Sequence, residues 1–310
     1  MHSRPAFPEP LNGLADRQAG IVTWEQALQL GMPAKTVRKL VTDGYWTRLS
    51  SGIYLTHAMR PAWSSLAWAG ALVGGPEAAS TGKAALRLDS IIAEEELPIH
   101  FLLPFNASYR PPNSWWRFSR TRTPFRAMGE LPRVPIERVI IDLCATEPGR
   151  ALHWVMLAVG SRKTTASRLR EQLDEISRHP IRAELKEILA DAEQGVHSPL
   201  EYAYLRNVER AHGLSGGRRQ VRSRGYFRDV YYDEGLIVEL DGRLGHDGVD
   251  AFRDMDRDNY HTARGKTTLR FGWHQCVNAP CRAAAMVADL RHQLGWTDEE
   301  HSCRRCLRRP

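Results

Sequence analysis

"GIVTWEQALQLGMPAKTVRKLVTDGYWTRLSSGIYLTH", residues 20–57, decides how the rest of the chain is read. Thr23 and Gln26 have the spacing of a capping box, in which two side chains satisfy orphan N–H groups at a helix start. A short helix is therefore expected from Trp24 to near Gly31. Pro33 suits the first turn of a second helix, where its missing N–H costs nothing. Val37, Leu40 and Val41 recur at the helical interval as a buried stripe, and Gly44 fits the left-handed position that ends the helix. "YWTRL" and "GIYLT" then alternate around Ser50-Ser51-Gly52, the pattern of a β-hairpin. Helix, tight turn, helix and hairpin together predict a winged helix-turn-helix.

The outer face of the second helix carries Lys35, Thr36, Arg38 and Lys39, residue types that reach phosphates and base edges from the major groove. Arg48 on the hairpin is placed to touch the DNA backbone. A merely solvated basic face is the plainer alternative, since charge runs on helices usually are solvated. The joint occurrence of cap, turn and wing favours double-stranded DNA as the partner. Residues Leu14 to His57 also resemble the N-terminal domain of AbiEi-family antitoxins, through "G.VT..QAL..G.....V..LV..G...R...GIY". That resemblance implies a DNA-binding regulator.

Outward from this segment, 310 residues exceed one ordinary core and predict several domains. The expected fold class is α/β (α+β) and multidomain. It comprises a winged helix-turn-helix over 1–60, a mixed middle domain over 61–150, a helical connector over 151–195, a C-terminal restriction-endonuclease-like α/β/α core over 196–297, and a basic Cys-containing tail over 298–310. The middle domain is read as helices in "SSLAWAGALVG" and "EAASTGKAALRL", strands in "IHFLLP" and "WWRFSRTR", and a helix in "IERVIIDLCAT". Arg117, Arg120 and Arg122 alternate with aromatic residues there, either as a nucleic-acid contact or as the wet side of a half-buried strand.

The formal charge of +7 points to a polyanionic partner. No apolar run approaches the roughly 20 residues that cross a bilayer, and Met1–Asn12 lacks the apolar stretch of a secretory signal, so a cytoplasmic protein with no membrane partner is expected. Five cysteines without an export signal argue against a disulfide framework. Cys276, Cys281, Cys303 and Cys306 offer a four-thiolate structural Zn²⁺ site; the other reading of the tail is that it frays.

In the C-terminal part, Ser198 and Pro199 cap a helix with Glu201 in its first turn. "RRQVRS", "YFRDVYY" and "LIVELDG" follow as strands, the last two joined by the turn Asp233-Glu234-Gly235. This hairpin brings Asp229 and Glu239 onto neighbouring strands. Acids on an otherwise apolar strand are costly unless a metal or hydrogen bonds compensate, and phosphodiester hydrolysis uses a hard cation held by carboxylates.

From "SPLE", "Q", "RDVYYDEGLIVELDG..GH", "RDMDRDNYHTARG" and "LRFGW", Ser198 to Trp296 resembles the PD-(D/E)XK nuclease superfamily, in the branch related to very-short-patch-repair endonucleases. The resemblance implies an Mg²⁺- or Mn²⁺-dependent endonuclease with Asp229 and Glu239 as metal ligands, Glu201 supporting metal-bound waters and His246 exchanging a proton. A loop histidine without that role is the alternative for His246. Asp241 stands where that superfamily usually has a lysine, so it is either a third metal ligand or the positive charge comes from elsewhere, with Lys266 one candidate. Gln220 is a candidate to orient a water or phosphate, and Arg257 a candidate phosphate contact. The expected activity is DNA cleavage. The competing expectation is an AbiEi-like regulator whose nuclease-like fold only holds DNA, and an RNA nuclease is a third. One site per chain implies nicking, and paired cuts would need a homodimer.

Overall fold

A computed structural model of the protein describes residues 7–108, 110–196, 198–223, 226–241, 267–304 and 306–308. The chain divides into two compact units, Met1–Thr146 and Glu147–Pro310.

The first unit opens with α1 (Glu9–Arg17), β1 (Ile21–Thr23), α2 (Trp24–Gln29), α3 (Ala34–Thr42), β2 (Thr47–Ser50) and β3 (Ile53–Leu55). The three strands form an antiparallel sheet in the order β1-β3-β2. This is the element order of a winged helix. The capping box is present, with the Thr23 hydroxyl accepting from Gln26 N at 3.0 Å and Gln26 Oε1 accepting from Thr23 N at 2.9 Å. Pro33 is the N-cap of α3, one position earlier than expected. Gly31 and Gly44 take φ of 88° and 77°, which ends each helix in a conformation that penalises any Cβ.

Period-two alternation divides the side chains of this sheet between two cores. Val22 and Tyr54 pack with Ala27, Val37, Leu40 and Trp46 of the winged helix. Ile21, Ile53 and Leu55 point the other way and join a second cluster with Leu66, Ala67 and Ala69. Those residues belong to α4 (Trp63–Gly74), which is followed by β4 (Ala79–Ser80), α5 (Gly82–Leu88), β5 (Ile99–Pro104), β6 (Trp116–Thr121) and α6 (Ile136–Thr146). β5 pairs parallel with β6 and antiparallel with β4.

The segment "EAASTGKAALRL" is not one helix. Ala79 and Ser80 pair with Leu102 and Phe101 as β4, and the helix starts only at Gly82. Ser80 N donates to Pro132 O at 2.9 Å, so sheet-type partners satisfy this stretch before the helix can. β6 follows the half-buried pattern, with Trp116 inside and Arg117 and Arg120 exposed.

The second unit contains α7 (Ala151–Gly160), α8 (Ala166–Glu175), α9 (Arg182–Glu193) and α10 (Pro199–Tyr204), which continues as a π-helical turn over Leu205–Arg210. Next come β7 (Arg218–Ser223), β8 (Tyr226–Tyr231), β9 (Leu236–Leu240), β10 (Thr267–Phe271), a second π-helical turn over His274–Asn278, and α11 (Pro280–Gln293). The sheet order is β10-β9-β8-β7, with β9 and β10 parallel and the other pairs antiparallel. Tyr204 and Val208 from the α10 side and Ala284 and Val287 from α11 pack with Val230, Val238 and Phe271 of the sheet. The expected mixed α/β architecture is present. Among the described residues no helix is long and apolar enough to cross a membrane.

Small residues on α4 let it lie close to β5 and β6. A Cβ at Gly70 would come within 2.4 Å of Phe101 Cε2 and 2.6 Å of Trp116 Cδ1. Neither ring can yield easily, because both are buried and Trp116 Nε1 donates to Leu66 O at 2.8 Å. Gly70→Ala should therefore destabilise the first unit by about 1–3 kcal/mol, the usual cost of overpacking. The check is a lower urea midpoint for that unit; an unchanged midpoint would refute the close contact.

Candidate functional site

Two regions of the molecule carry the residues singled out in the sequence. On the winged helix, Lys35, Arg38 and Lys39 are exposed along α3, Thr36 is half-buried beside them, and Arg48 is exposed on β2. Val37 and Leu40, on the other side of α3, are buried in the core, so the basic face points outward by helical periodicity. The Arg38 guanidinium lies 5.5 Å from the Trp24 ring centroid, and Lys39 Nζ lies 3.8 Å from Asp43 Oδ2 one turn on. Such an exposed i,i+4 pair contributes only about 0.3–0.5 kcal/mol, so a phosphate can displace it cheaply. Arg48 Nε donates to Ser50 O at 3.3 Å across the tip of the wing.

In the second unit the sheet aligns several polar residues on one rung. Val230 pairs with Val238, and continuing that register by one residue brings Asp229 level with Glu239. β7 pairs Arg219 with Val230 and Val221 with Arg228, which sets Gln220 level with Asp229 on the other side. Glu239 in turn pairs with Arg270 of the parallel β10. Gln220, Asp229, Glu239 and Arg270 thus occupy consecutive strands, and residues level on neighbouring strands share a face.

Glu201 approaches this row from α10. The Ser198 hydroxyl caps that helix by accepting from Glu201 N at 3.1 Å, the Glu201 side chain is buried, and Gln220 Nε2 lies 3.4 Å from Glu201 Oε2. Gln220 has φ of 51°, a left-handed backbone inside a strand that a non-glycine residue adopts at a cost. Asp229 is half-buried and its Oδ2 accepts from Leu240 N at 2.7 Å. Asp241 follows the end of β9, half-buried, and its N–H donates to Phe271 O at 3.0 Å. His246, Arg257 and Lys266 lie outside the described residues.

Two features of this region escaped the sequence. Arg270 reaches the Glu239 position only through the parallel register of β10, although its strand, "LRFGW", was visible. Behind the sheet lies a buried polar network. Tyr204 and Tyr232 share a hydroxyl–hydroxyl bond of 2.9 Å, Tyr232 donates to Glu209 Oε1 at 2.6 Å, and Arg219 donates to Glu209 Oε2. Burial pushes the Glu209 carboxyl up, against the opposing pull of the Arg219 guanidinium and the Tyr232 hydroxyl. Both tyrosines are held well above their usual range, chiefly by burial.

The cysteines also need a correction. Cys276 does not join Cys281, Cys303 and Cys306, because its side chain is buried in the sheet–helix core. His212, just beyond the α10 segment, takes the fourth position instead, in a set of side chains compatible with zinc.

Removing one member of a buried ion pair leaves the other charge uncompensated, which costs about 3–5 kcal/mol. Arg219→Met is expected to destabilise the second unit by about that amount, while the Arg219→Met/Glu209→Gln double variant recovers much of it. Chemical denaturation of the four proteins of the cycle decides. A double variant no more stable than Arg219→Met would show that Glu209 does not depend on Arg219.

Against known proteins, residues 10–57 match a family model described as "Transcriptional regulator, AbiEi antitoxin". No curated protein matches the chain. Among solved structures, the chain is similar to that described as "Crystal structure of RV2827C protein from Mycobacterium tuberculosis", at 17% identity and a TM-score of 0.39, over 59% of this chain and 76% of that one. The family match and the winged-helix element order fall on the same residues, and it is there that the chain is similar to a transcriptional regulator.

Proposed function

We propose that the protein is a DNA-binding transcriptional regulator or antitoxin of the AbiEi type, whose winged helix docks on duplex DNA through α3. The observation that carries this reading is the exposed basic face of α3, Lys35, Arg38 and Lys39 with Thr36, inside a complete winged helix. A recognition helix of about this diameter fits the major groove, and the wing carries Arg48 to the neighbouring backbone. The formal charge of +7 works in the same direction by counterion release.

A second reading, a Vsr-like Mg²⁺-dependent endonuclease in the second unit, is favoured by the row of Gln220, Asp229 and Glu239 with Glu201 beside it. That reading needs Asp229, Glu239 and Asp241 to draw together around a cation that supplies hydroxide and neutralises phosphate charge, since the group of possible metal ligands that the described residues bring together is His212, Cys281, Cys303 and Cys306. Arg270 would then stand where a positive charge is wanted beside the acids. The regulator reading takes precedence because the family match supports the winged helix, whereas the nuclease rests on the sheet residues alone.

The test titrates the protein with a labelled duplex from upstream of its own gene across a range of salt concentrations. Lys35→Ala/Arg38→Ala/Lys39→Ala should weaken binding and reduce the slope of log K against log salt by about 2–3, the share of three phosphate contacts. An unchanged slope would remove α3 from the interface. Incubation of the same duplex with Mg²⁺ or Mn²⁺ should leave it intact. Cleavage by the wild type that disappears in Asp229→Ala and Glu239→Gln would instead decide for the endonuclease.

A further inference from the structure

The strongest unassigned feature is the convergence of His212, Cys281, Cys303 and Cys306, whose ligand atoms all lie within 4.8 Å of one another. They come from three separate stretches of chain. His212 follows the π-helical turn after α10, Cys281 sits in the first turn of α11, and Cys303 and Cys306 form a C-x-x-C in the tail. The spacings along the edges of this group are Cys281 Sγ to Cys303 Sγ 3.6 Å, Cys303 Sγ to Cys306 Sγ 3.7 Å, and Cys306 Sγ to His212 Nε2 3.6 Å. A tetrahedral zinc with ordinary bond lengths of about 2.3 Å to sulfur and about 2.0–2.1 Å to nitrogen has edges of about 3.8 Å between sulfurs and about 3.6 Å between sulfur and nitrogen. The same sulfurs are far beyond the ~2.05 Å of a disulfide.

A second, independent observation concerns the histidine. His212 is buried, and its Nδ1 lies 3.0 Å from Val208 O. A carbonyl accepts only from an N–H, so this bond puts the ring proton on Nδ1 and leaves the Nε2 lone pair facing Cys306. Zinc-bound histidines are commonly oriented in this way, by a backbone acceptor behind the ring. Among the described tail residues Leu307 is 75% exposed, and polar contacts tie the segment back: His301 N donates to His212 O at 3.0 Å and Glu300 Oε2 lies 3.0 Å from His292 Nε2.

We infer that His212, Cys281, Cys303 and Cys306 form a structural Cys3His zinc site that fastens the C-terminal tail to the α10 and α11 side of the second unit. The four side chains fill the tetrahedron, so the site has no open position for a substrate or an activated water, which makes it structural rather than catalytic. Its consequence for the surface is local. The site holds Arg304, which lies between Cys303 and Cys306, beside the helices instead of letting it trail free.

The test is elemental analysis of the full-length protein purified without chelator, with the cobalt(II)-substituted form as a second measurement. One zinc per chain is expected in the wild type and in Cys276→Ala. Cys303→Ser/Cys306→Ser and His212→Ala should lose it, and a chelator should expose the tail of the wild type to protease. Because His212→Ala can unfold its own helix end, the wild-type cobalt spectrum supplies the check that needs no variant: three thiolates and one imidazole give a weaker thiolate-to-metal band than four thiolates. A wild type without metal and with five titratable thiols would overturn the site. So would zinc retained by Cys303→Ser/Cys306→Ser, or a four-thiolate cobalt spectrum.

Discussion

The first unit depends on one constraint, that the small sheet of the winged helix is covered on both faces. A free-standing winged helix of this length buries little surface and would be marginal on its own. Here the side chains of β1 and β3 alternate, Val22 and Tyr54 into the helical core and Ile21, Ile53 and Leu55 into the cluster built on α4. All of β3 is consequently buried, and its "IYL" is apolar without a polar face. The wing and the following α/β segment therefore share a core. The outer face of α3 stays exposed, with Lys35, Arg38 and Lys39 free to meet DNA.

Most of the winged helix was legible because its signals are local. A capping box, a proline at a helix start, two left-handed glycines and a hairpin turn each act within a few residues, and each is present. The short β4 was not legible, because Ala79 and Ser80 have no strand propensity of their own and are drawn into the sheet by Leu102, Phe101 and Pro132 from far along the chain. The same distinction applies to the second unit. The β8–β9 hairpin could be foreseen from Asp233-Glu234-Gly235, and with it the nearness of Asp229 to Glu239. The left-handed Gln220 and the alignment of Arg270 with Glu239 depend on strand pairings that no local pattern encodes.

The cysteine cluster shows this limit most sharply. Four cysteines near the C-terminus suggest a four-thiolate set, and counting alone selects Cys276. Yet Cys276 lies in the π-helical turn before α11 and points into the core, where burial pushes its thiol up to about 12 and keeps it protonated. Cys281, one turn of chain later, begins α11 and turns toward the tail instead. His212 joins the three cysteines only because the α10 segment packs against α11. No spacing rule links positions 212 and 281.

Buried charge in the second unit bears on which function the sheet serves. Glu201, Glu209 and Glu239 are all buried, together with Arg228 and Arg291. Glu209 is fully employed in holding the fold, bound by Tyr232 and Arg219 behind the sheet. Arg291 is likewise structural, stacked 4.3 Å from the Tyr232 ring and donating to Glu234 at 2.8 Å. Burial of acids is thus not in itself a mark of catalysis in this unit, since the same sheet buries acid and arginine together for packing. What sets Asp229 and Glu239 apart is their position in one row with a strained Gln220, whose Nε2 lies 3.4 Å from Glu201 Oε2. Asp229 already spends one oxygen on Leu240 N, a bond that fixes its carboxylate against the end of β9. A residue held in that way serves a metal by being rigid, and it serves a non-cleaving fold by closing the open end of the β8–β9 hairpin. The physical difference between those two outcomes is whether a cation or arginine, with Arg270 standing level with Glu239, neutralises the row.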